Sequence, residues 1–219
     1  MKKLILYLML IFPCSLMAQI GLKAGVNFAN VSKASSINNS SQTGFHAGIF
    51  LAPPSKAILS SNTELIFSRQ GYDYKTSTNT GNVNLDYIML AQHMSINITK
   101  YFSIQFGGQT AYLLNAKADS TANGSSGSGN PYGGIMKLYN RFDYGYGGGI
   151  EIHPVSGLII GARVNISLNK LYDVNSYTSG NSSDFIPKIN VKNNVFQIFT
   201  GWRFGKNEKK KKEEKKESN

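Results

Sequence analysis

Phe142-Asp143-Tyr144-Gly145-Tyr146-Gly147-Gly148-Gly149-Ile150-Glu151-Ile152 alternates with a period of two. Phe142, Tyr144, Tyr146, Ile150 and Ile152 fall on one face, and Asp143, Gly145, Gly147, Gly149 and Glu151 on the other. That period is a β-strand's, and the two faces have unlike chemistry. The second face carries glycine and acid, which no dry core would hold. A soluble barrel hides its apolar face inside; here the apolar face belongs outside and the polar face inside, as in a barrel dissolved in lipid. About ten residues is the length a tilted strand needs to cross a bilayer.

The pattern recurs on both sides of this stretch. Residues 157–168 set Leu158, Ile160, Ala162, Val164, Ile166 and Leu168 against Gly161, Arg163, Asn165 and Ser167. Residues 195–204 set Phe196, Ile198, Trp202 and Phe204 against Gln197, Gly201 and Arg203. Upstream, the same reading predicts strands over 20–30, 43–52, 61–72, 84–98 and 102–114, with Lys23, His46, Glu64 and Gln105 on polar faces. In 84–98 both faces are apolar: Leu85, Tyr87 and Met89 on one, Ile88, Leu90, Met94 and Ile96 on the other. A bulge near Ala91-Gln92 is the expected cause. Long connections near 31–42, 73–83, 115–140 and 169–194 alternate with short ones near 53–60, 99–101 and 153–156. Transmembrane barrels have this rhythm, with long outer loops and short periplasmic turns. The fold expected is all-β: an eight-stranded antiparallel up-and-down transmembrane β-barrel over 19–204.

Residues 1–18 read as a signal peptide. Lys2 and Lys3 precede the apolar run from Leu4 to Phe12, and Leu16-Met17-Ala18 offers a cleavage site before Gln19. The run is too short to span a membrane as a helix, which takes roughly 20 residues. Cys14 is the sole cysteine, and Phe12-Pro13 before it do not fit a lipoprotein site. The exported chain therefore has no disulfide or thiol chemistry. Residues 205–219 form a charged tail with seven lysines and four glutamates and no apolar face, expected to be solvated on the periplasmic side. Of the formal charge of +11, 19–204 keeps fourteen basic and eight acidic residues. A nucleic-acid patch is conceivable on charge alone, but export and the strand pattern exclude it.

Several stretches resemble the PorT-like outer-membrane β-barrel family of Bacteroidetes-type bacteria, often labelled porin family. They are Ile20-Gly21-Leu22-Lys23-Ala24-Gly25-Val26-Asn27, Glu64-Leu65-Ile66-Phe67-Ser68-Arg69-Gln70-Gly71 and Leu85-Asp86-Tyr87-Ile88. Gly107-Gly108, Tyr112-Leu113-Leu114, Ala116-Lys117, Phe142-Asp143-Tyr144-Gly145, Gly147-Gly148-Gly149, Gly161-Ala162-Arg163 and Gly201-Trp202-Arg203-Phe204 complete the set. Their order and spacing, rather than any one motif, carry the likeness. Ala91, where such proteins often have Pro, and the lysine-rich tail depart from it. The resemblance implies fold and outer-membrane location, and no shared reaction.

If apolar faces meet lipid, Lys23, Glu64, Asp143, Glu151, Arg163 and Arg203 point inward, and Asp86 joins them. Eight strands leave an interior only wide enough for side chains. Buried charges there must pair or cost several kcal/mol each. A salt-bridged plug is expected, with Arg163 facing Glu151 or Asp143; a charge-lined pore is the alternative. Tyr72, Tyr87, Tyr101, Tyr112, Trp202 and Phe204 suit interfacial girdles. An aromatic end at Phe204 also looks like the signal that barrel-assembly machinery reads. His46, His93 and His153 have no Ser/Asp arrangement or ligand spacing that points to catalysis or metal. No cofactor is implied. Gly145, Gly147 and Gly149 alternate with aromatics and open no helix, so they are no phosphate loop. The loop stretches Ala122–Tyr132 and Leu171–Asn194 remain as candidate contact surfaces for an unidentified partner. The expected role is a structural or interaction protein displaying loops outward, both termini periplasmic. A small pore and a soluble lipocalin-like carrier are the alternatives, the latter needing apolar faces inward.

Overall fold

Alternation of this kind satisfies backbone polar groups in lipid only if the sheet closes on itself, and it does. In the computed structural model the strands are β1 (Gln19–Ser32), β2 (Asn38–Ala52), β3 (Leu59–Lys75), β4 (Asn79–Asn97), β5 (Phe102–Ala122), β6 (Phe142–Ile152), β7 (Leu158–Ser167) and β8 (Lys192–Arg203). Each pairs antiparallel with its sequence neighbour, and β8 pairs with β1 to close an eight-stranded barrel. The structure describes residues 19–32, 38–52, 58–75, 79–122, 136, 139–172 and 192–204. The expected signal peptide 1–18, the tail 205–219 and most of the two loop stretches lie outside the described residues.

The outward faces are apolar. Ile20, Leu22, Val26, Ile49, Leu65, Leu90, Phe106, Ile150, Val164 and Ile198 are all exposed on the barrel's outside. A polar group interrupts them on β3 and β4, where Thr63 Oγ1 donates to Gln92 Oε1 at 2.6 Å and Gln92 Nε2 donates to Ser61 Oγ at 2.5 Å.

One end of the barrel carries the short connections 53–58, 98–101 and 153–157 and both chain ends of the sheet; we call it the turn end. In the last of these turns Gly157 has φ +94°, a left-handed conformation that favours glycine. The other end is the loop end. Its first and second connections, 33–37 and 76–78, are shorter than the sequence predicts, because β2, β3 and β4 continue as paired strands through residues read as loop. At these two connections the expected long loop is thus a long hairpin. At 10 and 11 residues, β7 and β6 suffice to cross a bilayer, while β5 at 21 overshoots it. The rim is therefore uneven: β3, β4 and β5 form a tall wall, and β6 stops facing Tyr112 of β5.

The bulge is not at Ala91-Gln92. β4 keeps one parity throughout, with Val83, Leu85, Tyr87, Met89, Ala91, His93 and Ser95 all buried. The register shifts instead where Asp86 faces Asn115 and Tyr87 faces Leu113, leaving Leu114 of β5 as the extra residue. Beyond it the inward residues of β5 change from Ala111 and Leu113 to Ala116 and Ala118. β4 reads apolar on both faces because the interior it meets near the loop end is itself apolar. For the same reason Tyr72 and Tyr87, expected in a girdle, are buried in the lumen. Tyr101, Tyr112, Trp202 and Phe204 do face outward.

Candidate functional site

The lumen is filled in layers. Four long side chains meet at one level, one from each odd strand: Lys23 (β1), Glu64 (β3), Gln105 (β5) and Arg163 (β7), all buried. Arg163 makes a two-pronged contact with Glu64, Nη1 to Oε2 at 2.9 Å and Nη2 to Oε1 at 3.0 Å. β7 and β3 are opposite walls of the barrel, so this pair spans the lumen. Lys23 Nζ donates to Glu64 Oε1 at 2.5 Å and lies 3.9 Å from the centre of the Phe199 ring. Arg163 also donates to Gln105 Oε1, and Asn62 Nδ2 donates to Glu64 Oε1 at 3.0 Å. One carboxylate thus holds two cations and an amide. The two-pronged geometry and the charge make these hydrogen bonds strong ones.

This pairing corrects the expected partner of Arg163, which was Glu151 or Asp143 on the neighbouring strand. Arg163 faces Gly149 in the β6 register, and Asp143 lies six residues further along, roughly 20 Å at strand rise. Asp143 instead accepts from Ser167 Oγ at 2.5 Å. The glycine in place of a side chain leaves Arg163 free to extend across the barrel. Glu151 stands 3.7 Å from Lys23 Nζ, beyond hydrogen-bond reach. Arg203 lies towards the turn end. Asp86 is a second correction: it shares the outward parity of Ile88 and Leu90 and pairs with outward Arg69, Nε to Oδ1 at 2.7 Å and Nη2 to Oδ2 at 3.1 Å. Asn115 beside the β5 bulge adds a third contact at 3.3 Å. Asp86 begins the polar rim above the apolar belt, where Asn84 and Asn82 follow on the same face.

Above the charges lies a layer of amides. Asn27 Nδ2 donates to Ser68 Oγ at 2.9 Å and to the carbonyl of Arg69 at 2.8 Å, and its Oδ1 faces His46 Nδ1 at 2.7 Å. Gln197 Nε2 donates to the same Oδ1 at 3.0 Å and Asn165 Nδ2 to Gln197 Oε1 at 2.8 Å. His46 and His93 are both buried; no group of His, Cys, Asp and Glu among the described residues could hold a metal ion.

Nearest the loop end the lumen holds its larger apolar cluster. Val83, Leu85, Tyr87, Leu113, Ala116 and Ala118 line the tall wall. Tyr139 and Tyr172, from the connections after β5 and β7, fold over the mouth and form an isolated β-bridge with each other. Their hydroxyls meet Tyr72 OH at 3.1 and 2.5 Å. Asn140 fastens the two connections: its Nδ2 donates to the carbonyls of Lys170 and Tyr172 at 2.8 and 3.0 Å. At the opposite, turn end a smaller apolar cluster holds Phe50, Ala52, Ile159 and Phe199. Phe199 fits because a Cβ on Gly161 would come within 2.5 Å of its ring.

Lys23, Glu64, Glu151, Arg163 and Arg203 lie in the turn-side half of the lumen, and Asp143 and Asp86 lie apart from them. Nothing in the sequence pointed to the tyrosine closure. Tyr139 and Tyr172 stand outside any alternating run, and only Tyr72 had a strand parity that would have shown it inward.

Residues 12–173 match a family model described as outer membrane protein beta-barrel domain. Solved structures with a similar barrel include Ail, the attachment invasion locus protein of Yersinia pestis, at 16% identity and TM-score 0.49, covering 86% of this chain and 100% of that one. Neisserial surface protein A is similar at 15% identity and TM-score 0.46, over 84% of this chain and 97% of that one. OprG of Pseudomonas aeruginosa is similar at 9% identity and TM-score 0.43, over 88% and 99%. No curated protein matches the chain.

Proposed function

The chain belongs to the family of outer-membrane β-barrel domains, and from that premise we propose that it is a closed, non-conducting barrel with a structural or interaction role, carried by what its loop end displays. Membership gives it an outer-membrane location and a lipid surround. The observation that carries the proposal is the continuous filling of the lumen. The Glu64 cluster crosses it from wall to wall, and the tyrosines close it above. An interior of eight strands has no room for a wet path beside such side chains. In this reading the loop end is extracellular and both termini are periplasmic. Residues 1–18 direct export, the aromatic end at Trp202 and Phe204 is read by barrel-assembly machinery, and the charged tail 205–219 is solvated on the periplasmic side. The partner met by the loops is unidentified, and no catalysis is assigned. The closer likeness to PorT-like barrels rests on the order of the sequence stretches alone and adds no activity. The outward apolar faces weigh against a soluble carrier.

Single-channel recording in planar bilayers tests the proposal. Folded wild-type barrels are expected to stay silent, and Arg163→Ala barrels too, since the tyrosine layer is untouched. Steady wild-type conductance that responds to Arg163→Ala would replace the closed barrel by the charge-lined pore.

A further inference from the structure

The outward face carries an amide where only lipid would be expected. Gln92 of β4 is exposed between Leu90 and Met94, themselves 50% and 41% exposed. It therefore stands inside the apolar belt, well below the rim that Asp86 begins. Its side chain is tied to β3, where Thr63 Oγ1 donates to Oε1 and Nε2 donates to Ser61 Oγ. Those bonds use one lone pair and one N–H. A primary amide has two of each, so half of its capacity is left, facing the acyl chains. A lipid-facing hydroxyl elsewhere turns back on the backbone: Thr200 Oγ1 donates to the carbonyl of Ile159 at 3.1 Å. Gln92 instead extends a polar chain over two strands. On its other side, in register on β5, is Gly108. A Cβ there would meet only the Gly145 carbonyl oxygen, at 3.8 Å, so the surface beside the amide is recessed and open to close approach. Amide donors and acceptors left in hydrocarbon cost free energy, and acyl chains at this depth offer nothing to offset it.

We propose that the β3–β5 face pairs in the membrane with the same face of a second copy of this chain, Gln92 against Gln92. Both copies sit in the bilayer the same way up, so a two-fold axis along the membrane normal keeps every residue at its own depth. It brings Gln92 opposite itself. The amide is complementary to its own image: the N–H left in one copy meets the oxygen left in the other, and the reverse. A partner offering donors alone, or acceptors alone, would leave half of that capacity unmet. Leu65, Leu90, Met94 and Phe106 surround the amide. Burying such residues against a protein gains little over lipid, so close approach at Gly108 and the amide pair must hold the contact, as small and polar residues do between membrane segments. The contact uses the same patch on both copies and closes at two.

Residues 19–219 contain no cysteine, so single cysteines report proximity. The full exported chain would be folded into phosphatidylcholine vesicles, checked by its heat-dependent gel shift and treated with a short bismaleimide at a series of protein-to-lipid ratios. Leu90→Cys, beside the amide, is expected to give cross-linked dimers. Ile198→Cys, outward on β8 across the barrel from β4, is expected to stay monomeric. Adding Gln92→Leu to Leu90→Cys makes the face uniformly apolar, a change that lipid favours, so folding is retained. It is expected to weaken association about threefold to thirtyfold, read as the ratio needed for half cross-linking. The lumen takes no part in this contact, so single-channel silence or conductance bears on neither outcome. Monomers at every ratio, equal cross-linking from both positions, ladders beyond the dimer, or association unchanged by Gln92→Leu would each overturn the pairing. Monomers at every ratio would leave a different barrel as the neighbour of this face.

Discussion

Glu64 and Tyr72 point into the lumen from the same face of β3, yet they meet opposite interiors. Around Glu64 the side-chain partners are two cations and an amide, backed by the Phe199 ring. Around Tyr72 the neighbours are aliphatic side chains and two more tyrosines. The two halves close the same tube by different physics. The polar half depends on matching a few strong directional contacts, where one missing partner leaves a buried charge. The apolar half depends on close packing over many weak contacts, where one missing group leaves a cavity. A barrel in lipid needs no apolar interior for its stability, since its outer face already has an apolar surround. The apolar half therefore serves closure as much as cohesion.

Four substitutions separate these mechanisms, in descending order of effect. Glu64→Ala strands Lys23 and Arg163 and is expected to cost about 3–5 kcal/mol, read as the shift in urea unfolding of the folded barrel. A loss under about 1 kcal/mol would mean that water reaches and screens the cluster. Leu113→Ala in the apolar half should cost about 2–5 kcal/mol by the same assay; a negligible change would show that half to be loosely filled. Tyr72→Phe removes a hydroxyl that meets two others and is expected to cost about 0.5–1.5 kcal/mol. Protease sensitivity of the mouth should rise with it, and an unchanged digestion pattern would detach the closure from these bonds. Asp86→Asn weakens a pair outside the lumen whose Arg69 side chain is 43% and Asp86 side chain 10% exposed, so it should cost about 1 kcal/mol, less than Glu64→Ala. A penalty as large as that of Glu64→Ala would erase the distinction between lumen and rim.

The fold was legible because lipid enforces a strict rule on outward residues. In β6 and β7 nearly every second position obeys it, and the observed ends fall within a residue of those expected. The rule weakens wherever the strand leaves the bilayer. Residues such as Asn79, Gly81 and Asn82 look like loop by composition, yet they pair into β4 because the tall hairpins continue in water. Parity placed Lys23, Glu64, Glu151, Arg163 and Arg203 inward, but parity alone does not name partners. Adjacent strands seemed the natural choice for Arg163, whereas a side chain of that length facing Gly149 reaches the far wall. Asp86 failed for a local reason: it lies beside a bulge in the neighbouring strand, in a run where both faces are apolar, so alternation there carries no information about which face is inside.

The tyrosine closure also has a consequence in time. Tyr72 and Tyr172 are separated by 100 residues and Tyr72 and Tyr139 by 67. Hairpins such as β3–β4 join residues close in sequence, whereas these hydroxyls meet only once the far strands have come around. Contacts of long sequence separation form late, because the chain entropy of closing the intervening loop must first be overcome. The sealed mouth is thus a record of completed assembly: a chain arrested before β8 joins β1 still has its hairpins, but stays open at the top.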